Sequence, residues 1–392
     1  MARKSRDPGE LAGEKIPIVW NGRRARATVP SLLADRDLTL DAATATRVGV
    51  AAAEVARAAE SLDVDLEPLA RLLLRSEGVA SSFIEGITAP VVEVILAEEH
   101  LRIDAHDAAS WVAASLAATA AAIEHGAGDA PLDVGTLCDW HRALMSGSPT
   151  PERFVGRVRD VQGWIGGTSP IDAHLVTPPP DRLPGLLDDL MAWTNRTDVD
   201  PITQAAVAHA QFEVIHPFGD GNGRLGRVLV AWMLVRRLAL LVPPPVSVAI
   251  AADVGGYAAG LVRFRLSDHL GWIRWFAEAV TSGGVAQREL LEAVDTIRAR
   301  WRSRLVEEGV RSDAVAHRVL ELLPRHLVLT SALLTEELGV SDKAAVTTLN
   351  RLVALGILAR QGTVPAMGRG RPRGIYVATE LLGLAGSSPL RR

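Results

Sequence analysis

The sequence contains little cysteine, little lysine and few aromatic residues. Cys138 is the only cysteine among the 392 residues, so no disulfide can form within this chain, and a reducing, cytoplasmic setting is expected. Aromatic residues make up only 4% of the chain. Ala, Leu and Val supply most of the hydrophobic fraction, and because Ala and Leu favour helix, a mainly α fold is predicted.

A strong charge of one sign is also absent. The formal net charge is -4, which argues against a protein that binds polyanions over its whole surface. The uncharged stretch 108–123 is shorter than the roughly 20 apolar residues that a membrane span needs. No signal-like apolar core follows the N-terminus, so no membrane role is expected, and any contact with nucleic acid must be regional.

The length predicts two or three domains. Amphipathic periodicity predicts helices over 41–59, 66–85, 108–124, 132–145, 182–193, 202–215, 224–238, 292–308 and 342–355. A short hairpin is expected within 156–176, where Gly and Pro interrupt the pattern. We divide the chain into an irregular, flexible arm, an N-terminal helical module, a helical core, a linker helix, a compact C-terminal unit and a tail: 1–30, 31–105, 106–290, 291–311, 312–380 and 381–392.

The C-terminal unit shows helix-turn-helix spacing. Gly339 stands at the turn, and Ser341 is placed to cap the next helix. Two strand-like segments around a Gly/Pro/Arg loop predict a wing, so the unit is expected to be a winged helix-turn-helix. Its second helix and wing concentrate positive charge, at Lys343, Arg351, Arg360, Arg369, Arg371 and Arg373. These are the faces that meet DNA in winged-helix proteins, but protein docking or homodimer formation is an equally open reading.

A glycine-rich turn joins two of the predicted core helices. The run Asp220-Gly221-Asn222-Gly223 stands directly before an apolar helix, where free backbone N–H groups and the helix dipole favour an anion. The sequence therefore predicts a phosphate seat at this turn.

Charged residues on both sides of the seat indicate nucleotide chemistry. Arg224 and Arg227 share one face of the first helical turn, so both can reach phosphate oxygens. The carboxylate of Asp220 would repel a phosphate unless a cation such as Mg²⁺ lay between them. His216 is the only side chain of the run that takes up a proton near neutral pH, and a hydroxyl nucleophile needs such a base.

The whole run His216-Pro-Phe-Gly-Asp-Gly-Asn-Gly-Arg-Leu-Gly-Arg227 resembles the signature of the Fic (Fic/DOC) family, with every fixed position present. The resemblance implies a protein adenylyltransferase whose catalytic core is 106–290. It implies that His216 deprotonates a Ser, Thr or Tyr hydroxyl of a target protein, which attacks the α-phosphate of ATP. Phe218 would anchor the loop in the core.

The same resemblance assigns the phosphate contacts. Asp220 would hold Mg²⁺ against the α- and β-phosphates, Arg224 would neutralise the leaving pyrophosphate, and Arg227 would meet the γ-phosphate. The phosphates would be cradled by Gly221, Asn222 and Gly223.

A second motif lies on the helix predicted over 66–85. Ser81 and Glu85 are four residues apart, so they share one face, and Gly86 ends the helix. Ser81-Ser-Phe-Ile-Glu-Gly86 resembles the inhibitory helix motif of Fic proteins. The resemblance implies that Glu85 pairs with Arg227 where the γ-phosphate should lie, which would inhibit the enzyme in cis.

Two further sites follow only from the resemblance. The hairpin around Gly163 to Thr177, with Trp164 and Ile165 on its strand, matches the family's flap, which pairs with the target. Gly256-Tyr257 falls where relatives carry an aromatic pair near the adenine, with Gly256 in place of the first aromatic residue.

The expected function is transfer of AMP from ATP to a target protein, and possible self-modification. One alternative is a DNA-binding regulator whose Fic-like core senses nucleotide, although a sensor has no need of the base at His216. Another is a Fic enzyme that removes AMP or transfers a different phosphate-containing group, since Glu85 could also orient a hydrolytic water.

Overall fold

The computed structural model describes residues 13–62, 66–101, 107–364 and 373–385. The described chain is mainly α-helical, as predicted, with three small sheets. Among these residues no single helix is long and apolar enough to cross a membrane, and one bent pair of helices, Val246–Ala252 with Val254–Arg265, passes that test only when taken together.

The described chain begins with a β-hairpin. Strands β1 (Glu14–Trp20) and β2 (Arg23–Val29) are antiparallel and are joined by Asn21-Gly22, both with positive φ. The irregular arm predicted over 1–30 is therefore wrong for this part, because Asn-Gly between two extended segments favours a tight hairpin turn. Residues 1–12 of that arm lie outside the described residues.

The predicted helices of the core are present, with their ends shifted by a few residues. The helices of this part of the chain are α1 (Ala42–Glu60), α2 (Leu66–Ile84), α3 (Val91–Glu98), α4 (Ala108–Ala127), α5 (Val134–Leu144), α6 (Leu183–Thr194), α7 (Pro201–Ile215), α8 (Asn222–Leu238), α9 (Val246–Ala252), α10 (Val254–Arg265) and α11 (His269–Glu307). Helices α3, α9 and α10 were not predicted. The carboxylate of Asp41 caps α1 by accepting from the Thr44 N–H, as expected. Gly86, with φ of 75°, ends α2. Pro90 stands immediately before the unpredicted α3 as its N-cap.

Helices α7 and α8 lie at the centre of the main core. Nearly every side chain of α7 and of the first four turns of α8 is buried. Around them pack α1, α4, α6 and α11. Because the helices are buried on all sides, the turn that joins them is held from both ends.

The predicted linker helix is the second half of a longer helix. Helix α11 runs for 39 residues without a break, from the core into the C-terminal unit. A buried stripe that includes Phe276, Val280, Val294 and Trp301 continues along it. The boundary predicted at 290/291 is therefore not a break in structure, because the apolar periodicity passes through it.

The C-terminal unit contains the predicted helix-turn-helix elements. Its elements are α12 (Val315–Leu322), β3 (Val328–Leu329), α13 (Ser331–Leu338), α14 (Asp342–Ala354), β4 (Ala359–Val364), β5 (Arg373–Val377) and α15 (Thr379–Ala385). Gly339 has φ of 64° and Ser341 caps α14, while β5 pairs with both β3 and β4. Helix α15 extends into the expected tail, of which 386–392 lie outside the described residues.

Of the six basic residues predicted to line its second helix and wing, the structure describes Lys343, Arg351, Arg360 and Arg373, and these four are exposed. Arg369 and Arg371 lie outside the described residues. The winged-helix assignment and DNA contact stay predictions.

Helix α2 lies between the core and the C-terminal unit. Leu72 and Leu73 are buried in a cluster with residues of the C-terminal unit. Arg75, 1% exposed, donates from Nη1 to the Arg325 carbonyl over 2.7 Å. The opposite end of α2, with Ser81 and Glu85, contacts Arg227 of α8.

Candidate active site

The turn between α7 and α8 has left-handed backbone at both ends. His216 ends α7 with φ of 50° and ψ of 61°. Gly221 precedes α8 with φ of 73°, and a Cβ atom there would lie 2.6 Å from the Met145 sulfur. Glycine is therefore needed at 221 for both conformation and space.

Phe218 and Asn222 fasten the turn from inside. The ring of Phe218 is 1% exposed, which agrees with its expected place in the core. The side-chain amide of Asn222 accepts from the Phe218 N–H and donates to the Phe218 carbonyl, each over 2.9 Å. The predicted phosphate contact of Asn222 is thus limited to its backbone N–H, since the side chain is engaged in holding the loop.

His141, which sequence reasoning missed, supports the same turn. Its Nδ1 accepts from the Gly156 N–H over 2.8 Å, so Nε2 carries the proton and donates to the Asp220 carbonyl over 3.0 Å. Burial lowers the pKa of His141 to about 4, so the ring is neutral at pH 7. The ring stacks on Phe218 with centroids 4.0 Å apart.

Asp220 presents an exposed carboxylate at the mouth of the turn. One oxygen accepts from the Gly221 N–H over 2.7 Å, and the other accepts from the Thr150 hydroxyl over 2.9 Å. Among the described residues there is no group of three or more His, Cys, Asp or Glu side chains that could hold a metal. A single carboxylate fits Mg²⁺ that takes its other ligands from phosphates and water, and does not fit a metal held by the protein alone.

Two buried guanidinium groups stand behind the start of α8. Arg224 and Arg227 are 4% and 2% exposed. Arg227 donates from Nε to the Ser81 hydroxyl over 2.8 Å and from Nη2 to Oε1 of Glu85 over 2.7 Å. Within the described structure, Nη1 of each arginine has no hydrogen-bond acceptor. Each guanidinium thus has one buried nitrogen that forms no hydrogen bond among the described residues.

Glu85 already places an anion at this position. A Cβ atom at Gly223 would overlap with Glu85 Oε1, so the carboxylate lies directly against the first turn of α8. The first amides of a helix have no intrahelical acceptor and attract negative charge. The predicted pairing of Glu85 with Arg227 is thus observed, in the place predicted for phosphate.

The environment of His216 keeps its imidazole neutral. Burial, and then the positive charge of Arg159, lower the pKa of His216 to about 4. Its Nδ1 lies 3.9 Å from Oε2 of Glu213, which is too far for a hydrogen bond. Burial, and then the negative charge of Glu85, raise the pKa of Glu213 to about 8, so this side chain is mostly protonated at pH 7.

The predicted hairpin is present beside the turn. Strands β6 (Trp164–Ile165) and β7 (Leu175–Val176) pair antiparallel over two residue pairs. Ile165 is 36% exposed, whereas Trp164 packs edge-on against Trp20 of the first hairpin, with ring centroids 5.4 Å apart. Contact between this hairpin and a target stays a prediction.

Tyr257 is buried within the core. The ring is 7% exposed, and its hydroxyl is 2.8 Å from Nε2 of the buried His209. The N–H of Gly256 donates to the Asp253 carboxylate, and a side chain at 256 would collide with that carboxylate and with Trp275. Both residues thus contribute to the packing around α10, and a contact with adenine stays a prediction.

Comparison with known proteins identifies the core. Residues 131–234 match the model of the Fic/DOC family. Over 150 residues the chain is 28% identical to the protein adenylyltransferase fic-1 of Caenorhabditis elegans, a match that covers 38% of this chain and 27% of that protein. Over 64 residues it is 44% identical to a protein of Aquifex aeolicus named as a probable protein adenylyltransferase, covering 16% of this chain and 20% of that one. The matches thus span about a quarter of these relatives.

Solved structures resemble a larger part of the chain. A Fic family protein from Desulfovibrio desulfuricans superposes with a TM-score of 0.53 at 25% identity, covering 86% of this chain and 97% of that one. A Fic domain containing signaling protein from Bacteroides thetaiotaomicron gives a TM-score of 0.51 at 16% identity, covering 62% and 97%, and shows the fold alone. The turn, the two arginines behind it and these matches together show that residues 131–234 form a Fic/DOC family domain.

Proposed function

We propose that this chain transfers AMP from ATP to a hydroxyl group of a target protein, and that Glu85 restrains this activity in the resting state. The two curated relatives described above bear the name of protein adenylyltransferases. The observation that carries the proposal is the seat at the start of α8. There the Glu85 carboxylate is hydrogen-bonded to the buried Arg227 of α8, which follows the turn that presents His216 and Asp220.

The seat suits the triphosphate of ATP. The N–H groups of the first turn of α8 and the spare donors of Arg224 and Arg227 would bind phosphate oxygens. Asp220 would hold Mg²⁺, which when bound supplies positive charge against the phosphates. Such binding and neutralisation are the main protein contributions to transfers at phosphate.

His216 is suited to be the base. Its Nδ1 is buried near Glu213, which leaves Nε2 for the target hydroxyl. As the hydroxyl oxygen bonds to the α-phosphorus, its proton passes to Nε2, the bond from the α-phosphorus to the bridging oxygen breaks, and pyrophosphate leaves. A neutral imidazole at pH 7 is the form that this step requires.

Glu85 would act as the brake through charge and space. Its carboxylate holds Arg227 and lies against Gly223, so a γ-phosphate at that position would meet a like charge. ATP would then bind with its α-phosphate away from His216. Removal of the side chain at 85 should leave Arg227 free for phosphate.

Labelled AMP transfer tests the base and the brake together. With Mg²⁺ and ATP, Glu85→Gly should transfer at least about tenfold more label than wild type, which corresponds to about 1.4 kcal/mol. Adding His216→Ala to Glu85→Gly should reduce transfer by about 100-fold or more. Equal transfer by wild type and Glu85→Gly would refute the brake, and undiminished transfer without His216 would refute the base.

A further inference from the structure

Arg159 is a buried charge that has only neutral partners. Its side chain is 3% exposed, and burial lowers its pKa to about 10. Its guanidinium donates to four backbone carbonyls and one hydroxyl: those of Val161 at 2.7 Å, Thr177 Oγ1 at 2.8 Å, Pro178 at 2.7 Å, Ile215 at 3.3 Å and His216 at 2.8 Å. Burial of a guanidinium without a carboxylate partner is costly, so stability alone is a weak reason for an arginine here.

The acceptors of Arg159 fall into two groups. Val161, Thr177 and Pro178 flank β6 and β7, the two strands of the hairpin that is predicted to contact the target and is called the docking hairpin below. Ile215 and His216 form the end of α7, and the Arg159 N–H also donates to the Pro217 carbonyl over 2.9 Å. One side chain thus bonds to the hairpin and to the catalytic turn at the same time.

We propose that Arg159 is a positioning residue that fastens the docking hairpin and the His216 turn into one frame. This proposal rests on the proposed function. A target hydroxyl held at the hairpin would then keep a fixed separation from Nε2 of His216. Such orientation matters because small displacements from the reactive geometry cost large factors in rate.

The bond to the His216 carbonyl also stabilises an unfavourable backbone. A histidine with φ of 50° is in the left-handed region, which is unfavourable for residues other than glycine. Nε of Arg159 donates to the carbonyl of this same residue, His216, and so holds it in that conformation. The fork geometry of a guanidinium allows these bonds in several directions at once, which an ammonium group on lysine cannot reproduce.

The charge of Arg159 gives the proposal an electrostatic readout. The charged groups that act on His216 are Arg159, which lowers its pKa, and Glu85 and Asp220, which raise it, while Glu213 lies 3.9 Å away. Loss of the positive charge in Arg159→Gln should therefore raise the pKa of His216. Arg159→Lys keeps the charge but loses most of the bonds.

Hydrogen exchange and NMR titration of the full chain without nucleotide test the proposal independently of AMP transfer. In Arg159→Lys, amide exchange should rise several-fold in both 163–177 and 215–218. The matched control is Arg265→Gln, because Arg265 donates to the His174 carbonyl of the same hairpin but not to the turn. That variant should raise exchange in the hairpin alone. A rise confined to one segment in Arg159→Lys, or no rise, would overturn the proposal.

The NMR arm follows the His216 imidazole, assigned by its loss in His216→Gln. Arg159→Gln should raise the His216 pKa by about one unit, against little change in Arg265→Gln. An unchanged pKa would show that Arg159 does not face the base and would also overturn the proposal. In the Glu85→Gly background, Arg159→Lys should lower kcat for AMP transfer by about tenfold or more with a smaller change in KM for ATP. If Glu85→Gly itself transfers nothing, the proposed function fails while the exchange and titration results still decide the role of Arg159.

Discussion

At the scale of single residues, the site depends on charged groups that are buried without full compensation. Arg224 and Arg227 are almost completely buried. Glu213 Oε1 and His209 Nδ1 are also buried and have no hydrogen-bond partner in the part of the chain that the structure describes. Burial disfavours the ionised form of such a group, and the folded protein is less stable when the group does ionise. Buried ionisable groups with shifted pKa values are common at functional sites and less common in ordinary cores.

The buried carboxyl group of Glu213 should make the stability of the fold depend on pH. Its pKa is about 8 in the folded chain, well above that of an unfolded glutamate. The folded state therefore binds more protons between the two values, and stability falls as pH rises through that window. Glu213→Gln removes this dependence, so between pH 5 and pH 8 it should lose at least about 1 kcal/mol less stability than wild type.

Urea unfolding at the two pH values checks this prediction. Glu278→Gln is the control, since Glu278 is an exposed partner of Arg47 and its replacement should matter little at either pH. A Glu213→Gln chain that loses as much stability with pH as wild type would show that this carboxyl is ionised in the fold.

The sequence predicted the residues of the turn better than the residues that hold it. His216, Asp220 and Arg227 stand in one short run whose pattern is specific. His141 and Arg159 bond to groups as distant along the chain as Asp220 and His216, and nothing local marks them. The burial of Tyr257 was likewise not evident from the sequence, and its contact with adenine stays a prediction.

At the scale of elements, the site is formed where three helix ends meet. Helix α7 ends at His216, α8 begins after Gly221, and α2 ends next to both with Glu85. The first amides of a helix have no intrahelical acceptor, so the start of α8 can bind an anion. The end of α2 places the Glu85 carboxylate next to these amides.

The tight turn between α7 and α8 depends on glycine at position 221. Gly221→Ala places a side chain at φ of 73° and against the Met145 sulfur, so a loss of about 1–3 kcal/mol is expected. The matched control is Gly49→Ala in α1, where a Cβ atom meets nothing within 4 Å and alanine should add about 0.5–1 kcal/mol. Equal stability changes for the two variants, measured by urea unfolding, would contradict the role assigned to the turn.

Local signals predicted most elements but not their extent. Asp41 and Ser341 marked helix starts, and Gly86 marked an end, because capping and left-handed backbone are read from single residues. The hairpin over 14–29 was missed because charge and proline hid its weak alternation. The true length of α11 was missed because the chain was divided at 290/291, although the buried stripe of the helix continues through that boundary.

At the scale of the whole molecule, α2 joins the brake to the C-terminal unit. One end of the helix carries Glu85, while Leu72 and Leu73 lie in the cluster shared with that unit. Arg75 adds a hydrogen bond to the Arg325 carbonyl. The core and the C-terminal unit are thus connected through α2 as well as through α11, and they should not unfold independently.

Leu73→Ala tests this connection. The side chain is 1% exposed, so its truncation should cost about 2–5 kcal/mol. Because the cluster is shared, amide exchange should rise both near Glu85 and in α12 to α14. Leu241→Ala, at a leucine that is 67% exposed, should change stability by less than about 0.5 kcal/mol. Faster exchange in only one of the two regions would show that the two regions unfold independently.

The central claim is that this turn transfers AMP and that Glu85 restrains it. The most direct measurement is the intact mass of purified Glu85→Gly after incubation with Mg²⁺ and ATP, compared with wild type and with Glu85→Gly/His216→Ala. The account predicts an added mass of one AMP group on Glu85→Gly, much less on wild type and none on the double variant. No added mass on Glu85→Gly, also with candidate targets present, or an added group other than AMP, would contradict it.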